Sequence, residues 1–389
     1  MRCAKLIFSQ VMNWVHAEQF RRCVNRYHGN QRVRNFSCWE QFLAMSFAQL
    51  TYRDSLADVE VCLRSRRDQL YRLGFRSTIA HSTLADANRA RDWRIYHDLA
   101  QILIARARRL YADESFGVEL AQTVYALDST TIDLCLSLFP WARFRSTKAA
   151  VKLHTLLDLR GPIPTMIAIS DGKQADVRVL DDLILEPGAF YVMDRGYVDF
   201  GRLYRFTLVG AFFVTRAKTG LQINRLESQP VDPDTGVRTD QVVWLALTRS
   251  IEHYPERFRR ISYKDPETGK ALVFLTNNFD LPALTITRLY KGRWRVELFF
   301  KWIKQNLRIK HFFGTTDNAV KTQVWIAVCV YVLVAILRKE LRLELSLSQI
   351  LQVLSVNVFE QVPLAELVAQ TASQNETYDS RNQLVFNMF

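Results

Sequence analysis

One stretch decides how the rest of this sequence is organised: Tyr290-Lys-Gly-Arg-Trp-Arg-Val-Glu297-Leu-Phe-Phe-Lys-Trp-Ile-Lys304. On a helix of about 100° per residue, its polar residues fall on one arc and its apolar residues on another. The residues of the polar arc are Tyr290, Arg293, Glu297, Lys301, Lys304 and Arg308. The arc is a row of cations around one carboxylate. The pattern predicts a single amphipathic helix whose apolar side packs on a core.

The polar arc has an alternative interpretation, the solvated face of an ordinary helix. Its charges are almost all of one sign, so pairing between opposite charges one turn apart does not account for it. The one carboxylate of the arc lies among the cations, where a metal ligand would be useful. A single carboxylate holds Mg²⁺ poorly, so a metal site would need acidic partners elsewhere in the chain. Two apolar runs upstream reach such acids, Val124-Tyr-Ala-Leu-Asp128 and Ala189-Phe-Tyr-Val-Met-Asp194. We therefore expect Asp128, Asp194 and Glu297 to form one site.

The choice of these acids depends on their order along the chain. A single Asp at a strand end is more often a turn former or a helix cap than a ligand. On local pattern alone, four other acids fit: Asp133, Asp158, Asp171 and Asp199. His154 lies within an apolar run and is predicted to be a buried or hydrogen-bonded histidine.

The motif in the opening stretch resembles that of a known family. Its residues Tyr290, Arg293, Glu297 and Lys304 are separated by two, three and six residues. This spacing resembles the Tyr-Arg-Glu-Lys motif of DDE insertion-sequence transposases. The contexts Leu127-Asp128-Ser-Thr and Asp194-Arg-Gly-Tyr197 resemble that family as well. The resemblance extends in order and spacing over residues 1 to 340.

The resemblance implies a site and its cofactors. Asp128, Asp194 and Glu297 would be catalytic and would bind two Mg²⁺ ions, with Mn²⁺ able to substitute. Asp128 would bridge both ions. Tyr290, Arg293 and Lys304 would contact DNA, and loss of either cation is expected to leave the metal dependence unchanged. Lys301 lies on the same arc outside the motif and is interpreted as surface charge.

The resemblance also implies a function. The protein would be a transposase that binds the ends of an insertion sequence and catalyses metal-dependent DNA cleavage and strand transfer. Its partners would be double-stranded DNA, as terminal inverted repeats and target, and a second copy in the synaptic complex. Two alternatives stay open: a metal-dependent endonuclease without strand transfer, and an inactive relative that only binds DNA.

Charge and composition agree with a nucleic-acid partner. The 389 residues carry a net charge of +13, and residues 1–110 hold 19 Arg and Lys against 9 Asp and Glu. A surplus of this size favours a polyanion as partner. The six cysteines form no Cys-x-x-Cys pair, which argues against a zinc site. The uncharged run 324–337 is too short to span a bilayer, so we expect a buried helix and no membrane contact. The scattered cysteines suit reduced cytosolic thiols, and the resemblance implies a bacterial cytoplasmic protein that is nucleoid-associated when bound to DNA.

The predicted fold is α/β, with a ribonuclease-H-like mixed sheet, a β-rich insertion before the last catalytic helix and an N-terminal helical domain. Three antiparallel strands, a helix and a parallel strand bearing an acid would place Asp194 beside Asp128. The predicted segments are 1–95 (helical, DNA-binding), 96–122 (linker helix), 123–210 (core), 211–280 (insertion), 281–344 (core) and 345–389 (C-terminal tail).

Other positions are weaker candidates for DNA contact. A helix-turn-helix around Gly74 is one interpretation of the N-terminal region, and a helical packing domain with Arg on its surface is the other. A loop contributes Trp141, Arg143, Arg145 and Lys148. Three tryptophans could receive a flipped base, although core packing is the preferred interpretation for each: Trp244, Trp294 and Trp302.

Overall fold

A computed structural model describes residues 5–144, 148–306 and 312–368. The chain divides into two compact units, one formed by Ala112–Phe300 and the other by Met1–Tyr111 with Lys301–Phe389. Arg145 and Arg308 of the sequence predictions lie outside the described residues. The predicted domain boundaries stay predictions.

The first unit, Ala112–Phe300, is built on one mixed sheet. Its strands are β1 Val124–Leu134, β2 Ala149–Asp158, β3 Ile163–Asp171, β4 Phe190–Met193, β5 Phe212–Arg216, β6 Ile223–Gln229, β7 Val237–Leu245, β8 Phe258–Lys264 and β9 Ala271–Thr276. Within the described residues their order is β3-β2-β1-β4-β5-β9-β8-β7-β6. β1, β2 and β3 are antiparallel neighbours, whereas β4 and β5 run parallel to β1. The predicted ribonuclease-H-like core is confirmed.

The segment between β5 and the motif helices extends this same sheet. β9 pairs antiparallel with β5, and β8, β7 and β6 follow outward. The sequence did not predict β6, because six of its seven residues are exposed and show no apolar alternation. It is held by pairing with β7 rather than by burial of its own side chains.

The second unit is helical. Its helices are α1 Ile7–Met12, α2 Ala17–Arg26, α3 Cys38–Leu50, α4 Leu56–Arg64, α5 Leu70–Leu73, α6 His81–Ala90, α7 Arg94–Leu110, α12 Asp317–Glu340 and α13 Leu347–Asn357. The helices of the sheet unit are α8 Phe200–Val209, α9 Thr248–His253 and α10 Ala283–Lys291, and α11 Trp294–Asn306 begins in that unit.

Local sequence signals set several helix ends. Ser55 caps α4, within a capping box completed by Asp58. Gly74 ends α5 with a φ of +98°, which glycine adopts without steric cost. α6 begins at His81, before Ser82 and Thr83, so neither hydroxyl caps this helix, and the His81 backbone N–H donates to the Glu60 carboxylate at 2.7 Å.

α12 is the buried centre of the helical unit. It packs against α3, α6, α7 and α13. It is also the one helix in the described ranges with the length and hydropathy to cross a membrane, and 94% of its most apolar window is buried. The prediction of a buried helix over 324–337 is confirmed, and the apolar sequence is accounted for by core packing.

The prediction of one continuous helix through the motif is wrong. α10 ends at Lys291 and α11 begins at Trp294, with a turn at Gly292 and Arg293. There the Arg293 N–H bonds to the Tyr290 carbonyl at 3.1 Å, which is a three-residue spacing in place of four. A Cβ on Gly292 would lie 3.0 Å from Leu159 Cδ1, so glycine permits the turn to approach β2's end closely. Tyr290 therefore belongs to a different helix from Glu297.

Candidate active site

The pairing of β1 with β4 brings two of the predicted acids together. These strands are parallel, and their last paired residues are Leu127 and Met193. The next residues are Asp128 and Asp194. Since neighbouring strands lie about 4.8 Å apart, the two acids lie side by side where the β1–β4 pairing ends. Asp194 directly follows β4, whereas β1 continues past Asp128 to Leu134 in its pairing with β2, so the prediction that Asp128 lies at a strand end is wrong. The sequence prediction of this juxtaposition agrees with the register.

The turn after β4 fixes the Asp194 carboxylate. Asp194 caps the short 3₁₀ helix Arg195–Tyr197, and its Oδ1 accepts a hydrogen bond from the Gly196 backbone N–H at 2.6 Å. A Cβ on Gly196 would lie 2.8 Å from that same oxygen. Glycine is therefore needed for the close approach. The Thr215 hydroxyl donates to the Asp194 carbonyl at 2.9 Å and ties the turn to β5.

Arg293 joins Asp128 to Glu297. One guanidinium nitrogen, Nη1, lies 2.5 Å from Asp128 Oδ2, and the other, Nη2, lies 2.5 Å from Glu297 Oε1. Asp128 and Arg293 are each only 18% exposed. Charge-assisted hydrogen bonds of this kind are among the strongest in proteins. The structure thus brings Asp128, Asp194, Glu297 and Arg293 into one site.

The electrostatics of Asp128 reflect its burial. Burial raises its pKa to about 6, and the nearby Asp194 and Glu297 act in the same direction. The Ser129 backbone N–H and the Arg293 guanidinium oppose the increase without cancelling it. Asp128 is therefore a carboxylate that lacks full compensation for its charge.

Thr155 Oγ1 and Arg293 Nε are buried near Asp128 and have no hydrogen-bond partner in the part of the chain that the structure describes. Thr155 lies directly opposite Asp128 across the β1–β2 pair, on the same face of the sheet. Buried polar groups are normally satisfied by protein or water, so these atoms mark a place where further polar ligands fit.

The donor set fits a divalent cation in type, since carboxylate oxygens are the ligands that hard cations prefer. The positions of these side chains in the structure do not form a site for a divalent cation. Over residues 5–144, 148–306 and 312–368, no three His, Cys, Asp or Glu side chains converge on a point that could hold a metal ion. The Arg293 guanidinium lies between Asp128 and Glu297. A metal shared by these acids requires Arg293 to move.

The two other motif residues lie on either side of this turn. Tyr290, on α10, has its ring 4.8 Å from that of Phe274 on β9, and the Arg293 guanidinium lies 5.9 Å from the Tyr290 ring centre. Lys304 follows Glu297 by seven residues on α11, at the spacing that returns to the same helical face. Lys301 is exposed on the same helix.

The alternative acids have other partners or positions. They are Asp133, Asp158, Asp171 and Asp199. Asp158 is buried and pairs with Arg160, whereas Asp199 caps α8 and pairs with Arg202 at 3.0 Å. Asp171 Oδ1 accepts the N–H groups of the turn that follows β3. Asp133 is an exposed residue near the far end of β1. His154 is fully buried, with Nε2 3.0 Å from the Ser170 hydroxyl, as predicted.

Core packing was predicted for three tryptophans, and the structure agrees for one of them. That prediction is wrong for Trp244 and Trp294, which are 42% and 58% exposed. Trp302 is half-buried and packs edge-on against Tyr331, as predicted. In the loop before β2, Trp141, Arg143 and Lys148 are exposed, so these positions stay candidates for DNA contact.

Comparison with known proteins gives a match that covers most of the sheet unit and part of the helical unit. Residues 119–333 match the family described as the transposase DDE domain. The chain belongs to the DDE transposase family. Residues 4–76 match a second family, described as a domain of unknown function, DUF4372. The predicted α/β fold, the resemblance to DDE insertion-sequence transposases and the assignment as an enzyme of this class are confirmed, whereas membership of the Tyr-Arg-Glu-Lys group stays a prediction.

Individual relatives carry transposase names. The transposase is 31% identical to the Sinorhizobium fredii protein y4zB, named as a transposase, over 73% of this chain and 79% of that protein. It is 29% identical to a Geobacillus stearothermophilus protein named for the insertion sequence element IS5377, over 65% of this chain and 66% of that protein. A solved piggyBac transposase synaptic complex with hairpin DNA covers 94% of this chain and 79% of its own, with a TM-score of 0.44 and 10% identity.

The raised pKa of Asp128 gives a stability prediction. Above pH 6 the folded transposase holds a carboxylate that its surroundings disfavour, whereas below the unfolded pKa near 4 both states are protonated and the cost disappears. At about 1.4 kcal/mol per pKa unit, Asp128→Asn should raise the free energy of unfolding at pH 8 by about 2–3 kcal/mol. The gain should shrink as the pH falls to 4, as measured by urea denaturation in EDTA.

The matched control for this measurement is Asp133→Asn, an exposed acid on the same strand. Its free energy of unfolding should change by less than about 0.5 kcal/mol. An Asp128→Asn variant that is less stable than the parent at pH 8 would contradict the electrostatic account.

Proposed function

We propose that Asp128, Asp194 and Glu297 of this transposase are its catalytic acids and hold two Mg²⁺ ions, with Mn²⁺ able to substitute. The observation that carries this is the strand register, which sets Asp128 beside Asp194, together with the Arg293 fork that ties Glu297 to Asp128. DDE transposases generally use divalent metal ions. Asp128 is central to the proposal because it neighbours both other acids.

The reaction is the hydrolysis and transfer of a phosphodiester at the transposon end. When bound, divalent metal ions supply an activated nucleophile and stabilise the charge on the leaving oxygen. Asp194 is held by the Gly196 N–H in one orientation, so it enters the site preorganised. Lys304 would contact a DNA phosphate as a point charge, and Tyr290 would donate to a phosphate or stack on an unpaired base.

Arg293 has a second role in this proposal. The motif by itself predicts contact between Arg293 and phosphate alone, with the metal dependence unchanged by loss of this residue. Its two short contacts to acids lead us to replace that expectation. Arg293 offsets the charge of Asp128 and Glu297, which would be the residues to hold a metal, and a guanidinium released from them would hold a phosphate as a fork.

The helical unit would bind the terminal inverted repeats. Residues 1–110 have a surplus of ten positive charges, and DNA binding is the family's chemistry. A polar cleft of about 800 Å³ is lined by the Tyr27–Phe36 loop and by α6. On this loop Arg32 and Arg34 are exposed and form no ion pair within the described residues. Arg34 lines the cleft, and both side chains are therefore candidates for phosphate contact.

The assembly would be a homodimer in the synaptic complex, with the target DNA as a further substrate. The setting would be the bacterial cytoplasm, with the protein on the nucleoid when it is bound to DNA. The two alternatives, an endonuclease without strand transfer and an inactive DNA-binding relative, are not favoured, because the relatives carry transposase names.

The catalytic assignment is tested by substitution. Asp128→Ala, Asp194→Ala and Glu297→Ala should each reduce cleavage of a labelled transposon end by at least about a thousandfold, because each removes a metal ligand, while end binding stays within about twofold. Gel-based cleavage and binding assays on the purified full chain measure both. Asp133→Ala is the control and should cut at the parent rate. Parent-like cleavage by any of the three would remove that residue from the site.

The role of Arg293 is tested by metal binding without DNA. Arg293→Ala should bind Mn²⁺ about tenfold more tightly than the parent, because a charge-assisted contact of about 1.5–3 kcal/mol no longer competes for the acids. Glu297→Ala should bind it more weakly. Electron paramagnetic resonance titration measures both affinities. Lys301→Ala, an exposed cation on α11, is the control and should match the parent. Weaker Mn²⁺ binding by Arg293→Ala would rule out competition.

DNA-end binding is tested in the full chain, because a fragment that ends at residue 110 would lack α12, against which α3, α6 and α7 pack. Arg32→Ala with Arg34→Ala should reduce the slope of log affinity against log salt by up to about 1.8, at about 0.9 per phosphate contact. The control is Arg21→Ala with Arg22→Ala, whose side chains already pair with Glu18. Equal changes in slope for both pairs would exclude the Arg32–Arg34 surface as the contact.

A further inference from the structure

A polar cluster lies under the acid site, on the face of the sheet opposite Asp128. It consists of Ser129, Lys152, His154 and Asp176, and we name it the Asp176 cluster. Asp176 Oδ1 accepts a hydrogen bond from the Ser129 hydroxyl at 2.8 Å, and it lies 3.0 Å from Lys152 Nζ and 3.8 Å from His154 Nδ1. Ser129 and His154 are directly opposite each other across β1 and β2.

Ser129 connects this cluster to the acid site. Its backbone N–H donates to Asp128 Oδ1 at 2.8 Å, while its hydroxyl donates to Asp176. Successive side chains of a strand point to opposite faces, so Ser129 bonds to the acid of one face and to the cluster of the other. Asp176 therefore acts on the peptide group that orients the Asp128 carboxylate.

The cluster also adjoins the turn that carries Asp194. Asp176 begins the 3₁₀ helix Asp176–Asp182, and this helix packs against the 3₁₀ helix Arg195–Tyr197 that directly follows Asp194. The Tyr197 side chain is buried there. The short helix Asp176–Asp182 thus contacts Ser129, which follows Asp128, and the segment that follows Asp194.

Charge within the cluster is balanced locally. Lys152 is 13% exposed and also donates to the Gln174 carbonyl at 2.9 Å, so its ammonium is fixed between two acceptors. A buried cation without its partner would be costly. The Lys152–Asp176 pair therefore keeps Asp176 in the place where Ser129 can reach it.

We propose that Asp176 is a positioning residue for the transposase reaction: through the Ser129 hydroxyl it fixes the orientation in which Asp128 presents its carboxylate to a metal ion. This inference rests on the proposed function, because it takes Asp128 to be a metal ligand. Partners of this kind, which orient a ligand without touching the metal, typically contribute 10- to 100-fold in metal affinity or activity. A merely structural Asp176 would change stability and leave metal affinity unaltered.

The experiment compares Mn²⁺ binding by electron paramagnetic resonance for Asp176→Ala, Asp176→Asn and Ser129→Ala in the full chain. Asp176→Ala and Ser129→Ala should each weaken Mn²⁺ binding about tenfold. The double variant should be no weaker than either single, because both remove the same link. Asp176→Asn keeps an oxygen acceptor for Ser129 and should stay within about threefold of the parent.

The matched control is Asp181→Asn. Asp181 lies on the same 3₁₀ helix and pairs with Arg202 at 2.7 Å, away from β1. It should bind Mn²⁺ like the parent. Thermal unfolding in EDTA identifies any variant that fails to fold. If the Asp176 variants fail to fold, Ser129→Ala, which removes only one hydroxyl, is sufficient to test the proposal.

The outcomes separate this inference from the proposed function. If Asp128→Ala leaves Mn²⁺ binding unchanged, the proposed function fails. If Asp128→Ala weakens binding and Ser129→Ala does not, the positioning role of Asp176 fails alone. Equal losses for Asp176→Asn and Asp176→Ala would also overturn it, because charge rather than the hydrogen bond to Ser129 would then be responsible.

Discussion

Three like-charged carboxylates lie close together beside the β1–β4 pairing, and Arg293 supplies positive charge by bonding to two of them, Asp128 and Glu297. The Asp128 side chain is only 18% exposed, and its neighbours Asp194 and Glu297 raise its pKa further. Without the guanidinium, the folded protein would hold these charges against both desolvation and repulsion. In the proposed assignment, a divalent ion would compete with the Arg293 guanidinium for the same carboxylate oxygens.

Several other elements of the sheet unit hold these acids in place. Parallel pairing of β1 with β4 sets two of them side by side, and Gly196 permits the Asp194 carboxylate to receive a backbone N–H. Gly292 lets the turn between α10 and α11 approach Leu159. That turn is where Arg293 lies. On the opposite face, the Asp176 cluster fixes the peptide group that bonds to Asp128. Elements on both faces of the sheet therefore fix the positions of the site side chains.

Sequence reasoning was accurate where one strong local signal decides the structure. β1 and β4 are continuous apolar runs that end in acids, and Ser55 is a capping residue before an apolar run, so their positions were predictable. β6 was missed because it is polar and gains its place from pairing with β7. The break at Gly292 was missed because the charge pattern across it still has helical spacing. The contact between Arg293 and Glu297 joins residues four apart, which a local pattern can predict. Asp128 lies 165 residues from Arg293 in the chain, so no local sequence pattern predicts their contact.

The most direct measurement of the central claim is anomalous X-ray diffraction from crystals of the transposase grown with Mn²⁺. The account predicts an anomalous peak within about 2.5 Å of oxygens from both Asp128 and Asp194, with the Arg293 guanidinium displaced from its position between Asp128 and Glu297. A peak bound by other acids, or Mn²⁺ at these oxygens with both Arg293 ion pairs intact, would contradict it.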